Sequence, residues 1–293
     1  MDAFYIIATA SLFSISCALL GCFLILRKMA MVGDAISHAV LPGIVIAFLI
    51  TGSRDNVGMI AGAAMLGVFT TFLIEFFHKK ANLQTDAAIG VTFTWLFALG
   101  IILISLYAGQ IDLDQDCVLY GEIAYVPLDL WISKSGQNLG PVALYVAGIV
   151  LLINLAFIRF GFKFLYLTTF DPLYAASIGI SVSLWNYLLM GAVSMTTVAA
   201  FDSVGAILVV ALLVAPAATA YLLTDKMRTM LGLSVLISIL ISVLGYYLAV
   251  FLDGSIAGAI VTVAGILFTA AFIYHLQQRK MKSTPENKLP EFT

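Results

Sequence analysis

Charge is scarce in this chain: Asp, Glu, Lys and Arg together make up 10% of its 293 residues, against 62% hydrophobic residues. No water-facing surface of ordinary character can be assembled from that composition, so the pair of soluble domains that the length would allow is excluded. Cysteine is equally sparse. Cys17 and Cys22 fall inside the first apolar run and Cys117 stands alone, which gives neither a disulfide framework nor a thiolate metal cluster. No G-x-x-x-x-G-K-[ST] stretch occurs, so any nucleotide chemistry would need another polypeptide. No repeat of fixed period is present, and an inverted-repeat architecture is not supported. Neither a permanently bound cofactor nor a nucleic-acid partner is expected.

What the chain has instead is long apolar blocks, each near the roughly 20 residues that cross a bilayer as a helix. Nine can be read, at 4–26, 31–52, 57–77, 87–108, 139–160, 182–201, 203–223, 229–252 and 255–275. An eight-span reading would require one of the weaker blocks to be re-entrant. The first block is too long for a secretory signal and no small-residue cleavage site follows it, so it is expected to remain as a helix. The predicted fold is therefore an all-α polytopic membrane protein.

The few basic residues predict its orientation. With Arg27 and Lys28 inside and sides alternating after each span, Lys79, Lys80, Arg159, Lys163, Lys226, Arg228, Arg279, Lys280, Lys282 and Lys288 also fall inside. Of the 14 Lys and Arg, only Arg54 and Lys134 remain outside. The positive-inside rule then puts the amino terminus outside and the carboxyl terminus in the cytoplasm. The net charge of −2 says little, because opposite signs lie on opposite sides.

Residues 1–276 read as one transmembrane domain and 277–293 as a polar cytoplasmic tail. Residues 109–138 form an external interfacial segment, acidic at first and then rich in Tyr120, Tyr125, Leu128, Leu130 and Trp131. Gly58, Gly62, Gly67, Gly205, Ala206, Ala211 and Ala215 permit close helix packing.

Two side chains stand out against this background. Asp34 and His38 lie at i and i+4 within Met31–Gly43, on one face of a helix at membrane depth. Ionisable groups there are costly and make functional hypotheses by default. A carboxylate and an imidazole suit manganese, iron or zinc, and lack the soft sulfur that copper(I) prefers. Divalent metals take four to six ligands, so Ser37, backbone carbonyls near Pro42, or a second copy of the chain across a two-fold axis would complete the set. The competing role for Asp34 is a helix-start acid bonded to His38. Glu75 and His78 form a second pair, for which an ion pair of Glu75 with Lys79 at the surface is the favoured role. His275 is expected at the membrane interface.

The inner segment 164–181 contains Phe170, Asp171, Pro172, Leu173, Tyr174, Ala175, Ala176, Ser177 and Gly179. Asp171 suits an N-cap, Pro172 the first helical position and Gly179 the residue past the end, which predicts a two-turn helix. So short a helix is unstable unless it packs on something, either its own bundle or a partner.

These blocks resemble the permease subunit of the manganese, zinc and iron ABC importers. The matching stretches are Leu26–Gly43, Thr85–Gly90, Phe170–Gly179 and Ser203–Ala220, in order over roughly 10–275. The resemblance implies a homodimer in the bacterial cytoplasmic membrane, two cytoplasmic ABC ATPase subunits and an extracytoplasmic metal-binding protein. It implies that Asp34 and His38 form the translocation site and that 170–179 is gripped by the ATPase. The wording around Asp34 resembles manganese and iron members more than zinc members. Leu252–Gly258 departs from the family, which often carries Pro before the Gly. The rival mechanism is a proton-coupled secondary metal transporter, which would need no ATPase.

Overall fold

The computed structural model describes residues 2–51, 56–81, 83–107, 123–132 and 138–282. They form α1 (Asp2–Leu26), α2 (Val32–Thr51), α3 (Asn56–Lys80), α4 (Thr85–Tyr107), α5 (Val142–Phe170), α6 (Pro172–Ser177), α7 (Val182–Val204), α8 (Ala206–Leu223), α9 (Met227–Leu252) and α10 (Ile256–Lys282). Long helices are what a lipid-facing chain must form, because only they satisfy every backbone N–H and C=O within one segment. Seven of them, α1, α4, α5 and α7 to α10, are long and apolar enough to cross a membrane.

The first helix is the axis of the bundle. Phe13, Cys17, Leu20, Phe23 and Leu24 of α1 are fully buried, and α5, α7, α8 and α9 pack around it. Gly21 makes this approach possible: a Cβ there would run into the backbone carbonyl of Leu213 on α8. A polar tie crosses the same core. The buried Asn154 amide of α5 donates to Ser16 Oγ of α1 at 2.6 Å and to Thr196 Oγ1 of α7 at 2.7 Å. On the other side, α2 packs between α3 and α4, and α3 packs on α7.

Several boundaries differ from the sequence reading. The fifth apolar block does not end near 160: α5 runs on to Phe170 without a break, 29 residues or about 43 Å. Residues 164–170 are thus its last turns rather than a loop, since no helix breaker intervenes before Pro172 restricts Asp171. Residues 138–141 are extended ahead of α5, where a span was expected from 139. The tail expected from 277 begins as helix, because Gln277 to Lys282 are all good helix formers. The break between α7 and α8 falls at Gly205, whose φ of +82° is a conformation that favours glycine. At the departure from the family pattern, Asp253 caps α9 with φ +51°, a value closed to the proline ring.

Residues 108–122 and 133–137, part of the expected interfacial segment, and 283–293 of the tail lie outside the described residues, as does Cys117. The remainder of the segment is a 3₁₀ turn (Ile123–Leu128) packed on α1 and two short antiparallel strands, β1 (Leu130–Ile132) and β2 (Asn138–Pro141). These strands are a small addition to the all-α fold. Tyr125, Leu128 and Trp131 are more than half exposed there.

Candidate functional site

The turn after α1 reverses at Lys28, in the left-handed region at φ +58°, and delivers α2 with Asp34 in its first turn. A carboxylate near a helix N-terminus meets the positive end of the helix dipole. One turn on, His38 Nε2 stands 3.6 Å from Asp34 Oδ1, and both side chains are one third exposed. The imidazole is flanked by Phe93 and Phe97 of α4, at centroid distances of 5.7 and 5.5 Å. The two rings pack against the imidazole, whose Nε2 faces Asp34.

Two oxygens lie close to this pair in sequence. Ser37 Oγ donates to the Gly33 carbonyl at 2.8 Å, which keeps its lone pairs available. Pro42 sits inside α2 and has no N–H, so the His38 carbonyl lacks the donor that residue 42 would otherwise supply. Nevertheless, no three His, Cys, Asp or Glu side chains cluster among the described residues. One copy of the chain brings together two strong ligands, which is fewer than a transition metal takes.

The second pair is placed differently from the surface role expected for it. Glu75 is buried and accepts from Asn186 Nδ2 of α7 at 3.3 Å. His78 remains exposed, with Nδ1 at 2.8 Å from the Leu83 carbonyl. His275 is half-buried, its Nδ1 at 3.0 Å from the Leu222 carbonyl.

The short helix forms as its caps predict. Asp171 Oδ1 accepts from the Tyr174 backbone N–H at 2.9 Å, and Pro172 opens α6. At the far end Gly179 takes φ +85°, the Gly179 N–H reaches the Ala176 carbonyl and the Ile180 N–H the Ala175 carbonyl, at 3.1 and 2.9 Å. This is a complete Schellman closure. Ala175 is fully buried against the bundle, whereas Leu173 is 84% exposed and Phe170, Tyr174 and Ile178 are each about half exposed. The helix is therefore anchored by one face and presents an apolar ridge on the other.

A helical bundle with seven helices long and apolar enough to cross a bilayer, among the described residues, defines a polytopic membrane protein. The model of the ABC 3 transport family matches residues 3–275. The chain is 48% identical over 270 residues to the manganese transport system membrane protein MntD of Bacillus subtilis, covering 92% of this chain and 91% of that one. It is 44% identical over 269 residues to the zinc transport system membrane protein TroD of Treponema pallidum, covering 92% and 73%. Among solved structures, PsaBC from Streptococcus pneumoniae in complex with Fab superposes with a TM-score of 0.76 at 33% identity, covering 96% of this chain and 94% of that one. The chain belongs to the ABC 3 transport family and is a multi-pass protein of the bacterial plasma membrane.

Proposed function

We propose that the chain is the membrane subunit of an ATP-driven importer that carries a divalent transition metal, manganese foremost, into the cytoplasm. The observation that carries this reading is the Asp34–His38 pair, aligned on one face of α2 within the bundle. Its nitrogen and oxygen donors suit manganese, iron and zinc alike. The relatives named for manganese transport are what favour that ion, and the one named for zinc keeps zinc close behind.

Two ligands per copy call for a homodimer, in which Asp34 and His38 of both chains replace the hydration shell of the ion. The ion is cargo, supplied outside by a metal-binding protein and released inside. The chain crosses the membrane nine times, amino terminus outside, which leaves α6 and twelve of its basic residues in the cytoplasm. There the ridge of Phe170, Leu173 and Tyr174 seats in the ATPase partner, around the segment Asp171 to Gly179. ATP binding and hydrolysis move that seat, and the cavity between the two copies opens inward.

The test is metal uptake by vesicles containing the chain and its ATPase partner, with Asp34→Asn as control. Uptake of manganese, zinc or iron that requires ATP and is lost in the variant is the expected result. Uptake by the chain alone, driven by a proton gradient, would replace this reading with a secondary transporter.

A further inference from the structure

Arg27, in the turn between α1 and α2, spends three N–H groups on two other helices. Its Nε donates to Thr169 Oγ1 at 3.0 Å, Nη2 to Thr168 Oγ1 at 2.8 Å and Nη1 to Asn186 Oδ1 at 2.9 Å. Asn186 passes the chain of bonds on, its Nδ2 donating to Glu75 Oε2 of α3 at 3.3 Å. Thr168 and Thr169 lie in the last turn of α5, directly before α6, and Asn186 lies in the first turns of α7, just after it. One guanidinium, in the turn that leads into the helix carrying Asp34 and His38, thus holds the two helices that flank α6.

Burial lowers this group to about 10, so it stays charged at neutral pH and its bonds are charge-assisted. Beside it lies a cavity of about 380 Å³, lined among others by Arg27, Glu75, Thr168, Pro172 and Asn186. The void gives these elements room to move relative to one another while the bonds hold them in register. Guanidinium geometry is what the arrangement uses: lysine carries the same charge but cannot present three donors in one plane.

We propose that Arg27 is the positioning residue through which displacement of α6 reaches the metal site, by way of Thr168, Thr169 and Asn186. This rests on the reading of α6 as the ATPase seat and of Asp34 and His38 as the cation ligands. A mere structural brace would weaken folding and metal binding together. An electrostatic barrier to cations would need only the charge.

The experiment compares Arg27→Lys, the double variant Thr168→Val/Thr169→Val and their combination, each as the cell's only copy of the chain. Uptake of radioactive manganese and zinc and membrane abundance are measured in cells, and binding of each metal alone on the purified full-length chain. Abundance and binding are expected to stay within about twofold of wild type while uptake falls about tenfold or more, a typical size for lost coupling between sites. The combination should be no worse than the double variant, because all three residues act in one chain of contacts. Wild-type uptake by Arg27→Lys or by the threonine variant overturns the inference, as does an additive loss in the combination. Loss of metal binding in step with uptake overturns it too, in favour of a brace. If the wild-type chain takes up neither metal, the transport reading itself has failed and this inference falls with it, an outcome separable from the others.

Discussion

At the scale of single residues, the proposed function rests on groups that lipid would ordinarily reject. Asp34 and His38 are tolerable where they stand because the helix N-terminus favours the carboxylate and the Phe93 and Phe97 rings shelter the imidazole. Replacing His38 by Ala should leave membrane abundance unchanged and reduce uptake by more than the roughly 10–100-fold that losing an outer-shell partner costs. Uptake assays on cells with equal amounts of either chain check this. Coordination needs the neutral imidazole, so protonation competes with metal, and metal affinity of the wild-type chain should fall as the medium is acidified. Titrating metal binding at a series of pH values tests the sign. The pair was legible because its i, i+4 spacing within an apolar run is visible without coordinates. Arg27 was legible only as an orientation marker beside Lys28, since its partners lie 141 to 159 positions away.

At the scale of elements, α6 shows how much local chemistry can specify. An N-cap acid, a first-turn proline and a glycine in the left-handed region mark its start, direction and end with residues close in sequence. What they leave open is which face is free, and burial of Ala175 decides that. Leu173→Asp with Tyr174→Asp should abolish co-purification of the ATPase and uptake while the permease remains in the membrane; retention of the ATPase on affinity-purified variant would refute the seat. Helix packing makes its own prediction. Gly21→Val pushes methyl groups into the Leu213 backbone, and such overpacking costs about 1–3 kcal/mol. The thermal midpoint of the detergent-solubilised variant should drop accordingly. The end of α5 was misjudged from sequence because hydropathy falls near Arg159 and Lys163, whereas the helix is stopped by backbone sterics at Asp171–Pro172.

At the scale of the whole molecule, the distribution of charge implies a topology. Reporter fusions after Gln278 should be active only as cytoplasmic reporters, and a cysteine introduced at Lys134 should react with impermeant reagents from outside. The opposite pattern would invert the bundle and move α6 away from any cytoplasmic ATPase. The proposed metal site belongs to this scale as well: two ligands per chain would need a second copy to complete the set, and cross-linking of a cysteine pair placed beside Asp34 is the direct check on the proposed dimer.

The sequence alone determined the class of fold, the caps of α6 and the alignment of Asp34 with His38 on one helix face. All of these follow from hydropathy, periodicity and bonds between residues at most five apart. Only the tertiary structure decided that Glu75 turns inward rather than to the surface, that α1 is the central helix and that Arg27 joins the turn before α2 to both flanks of α6. Those outcomes depend on which helices become neighbours. In a chain that is apolar almost all round its helices, the composition of a single span carries little record of that choice.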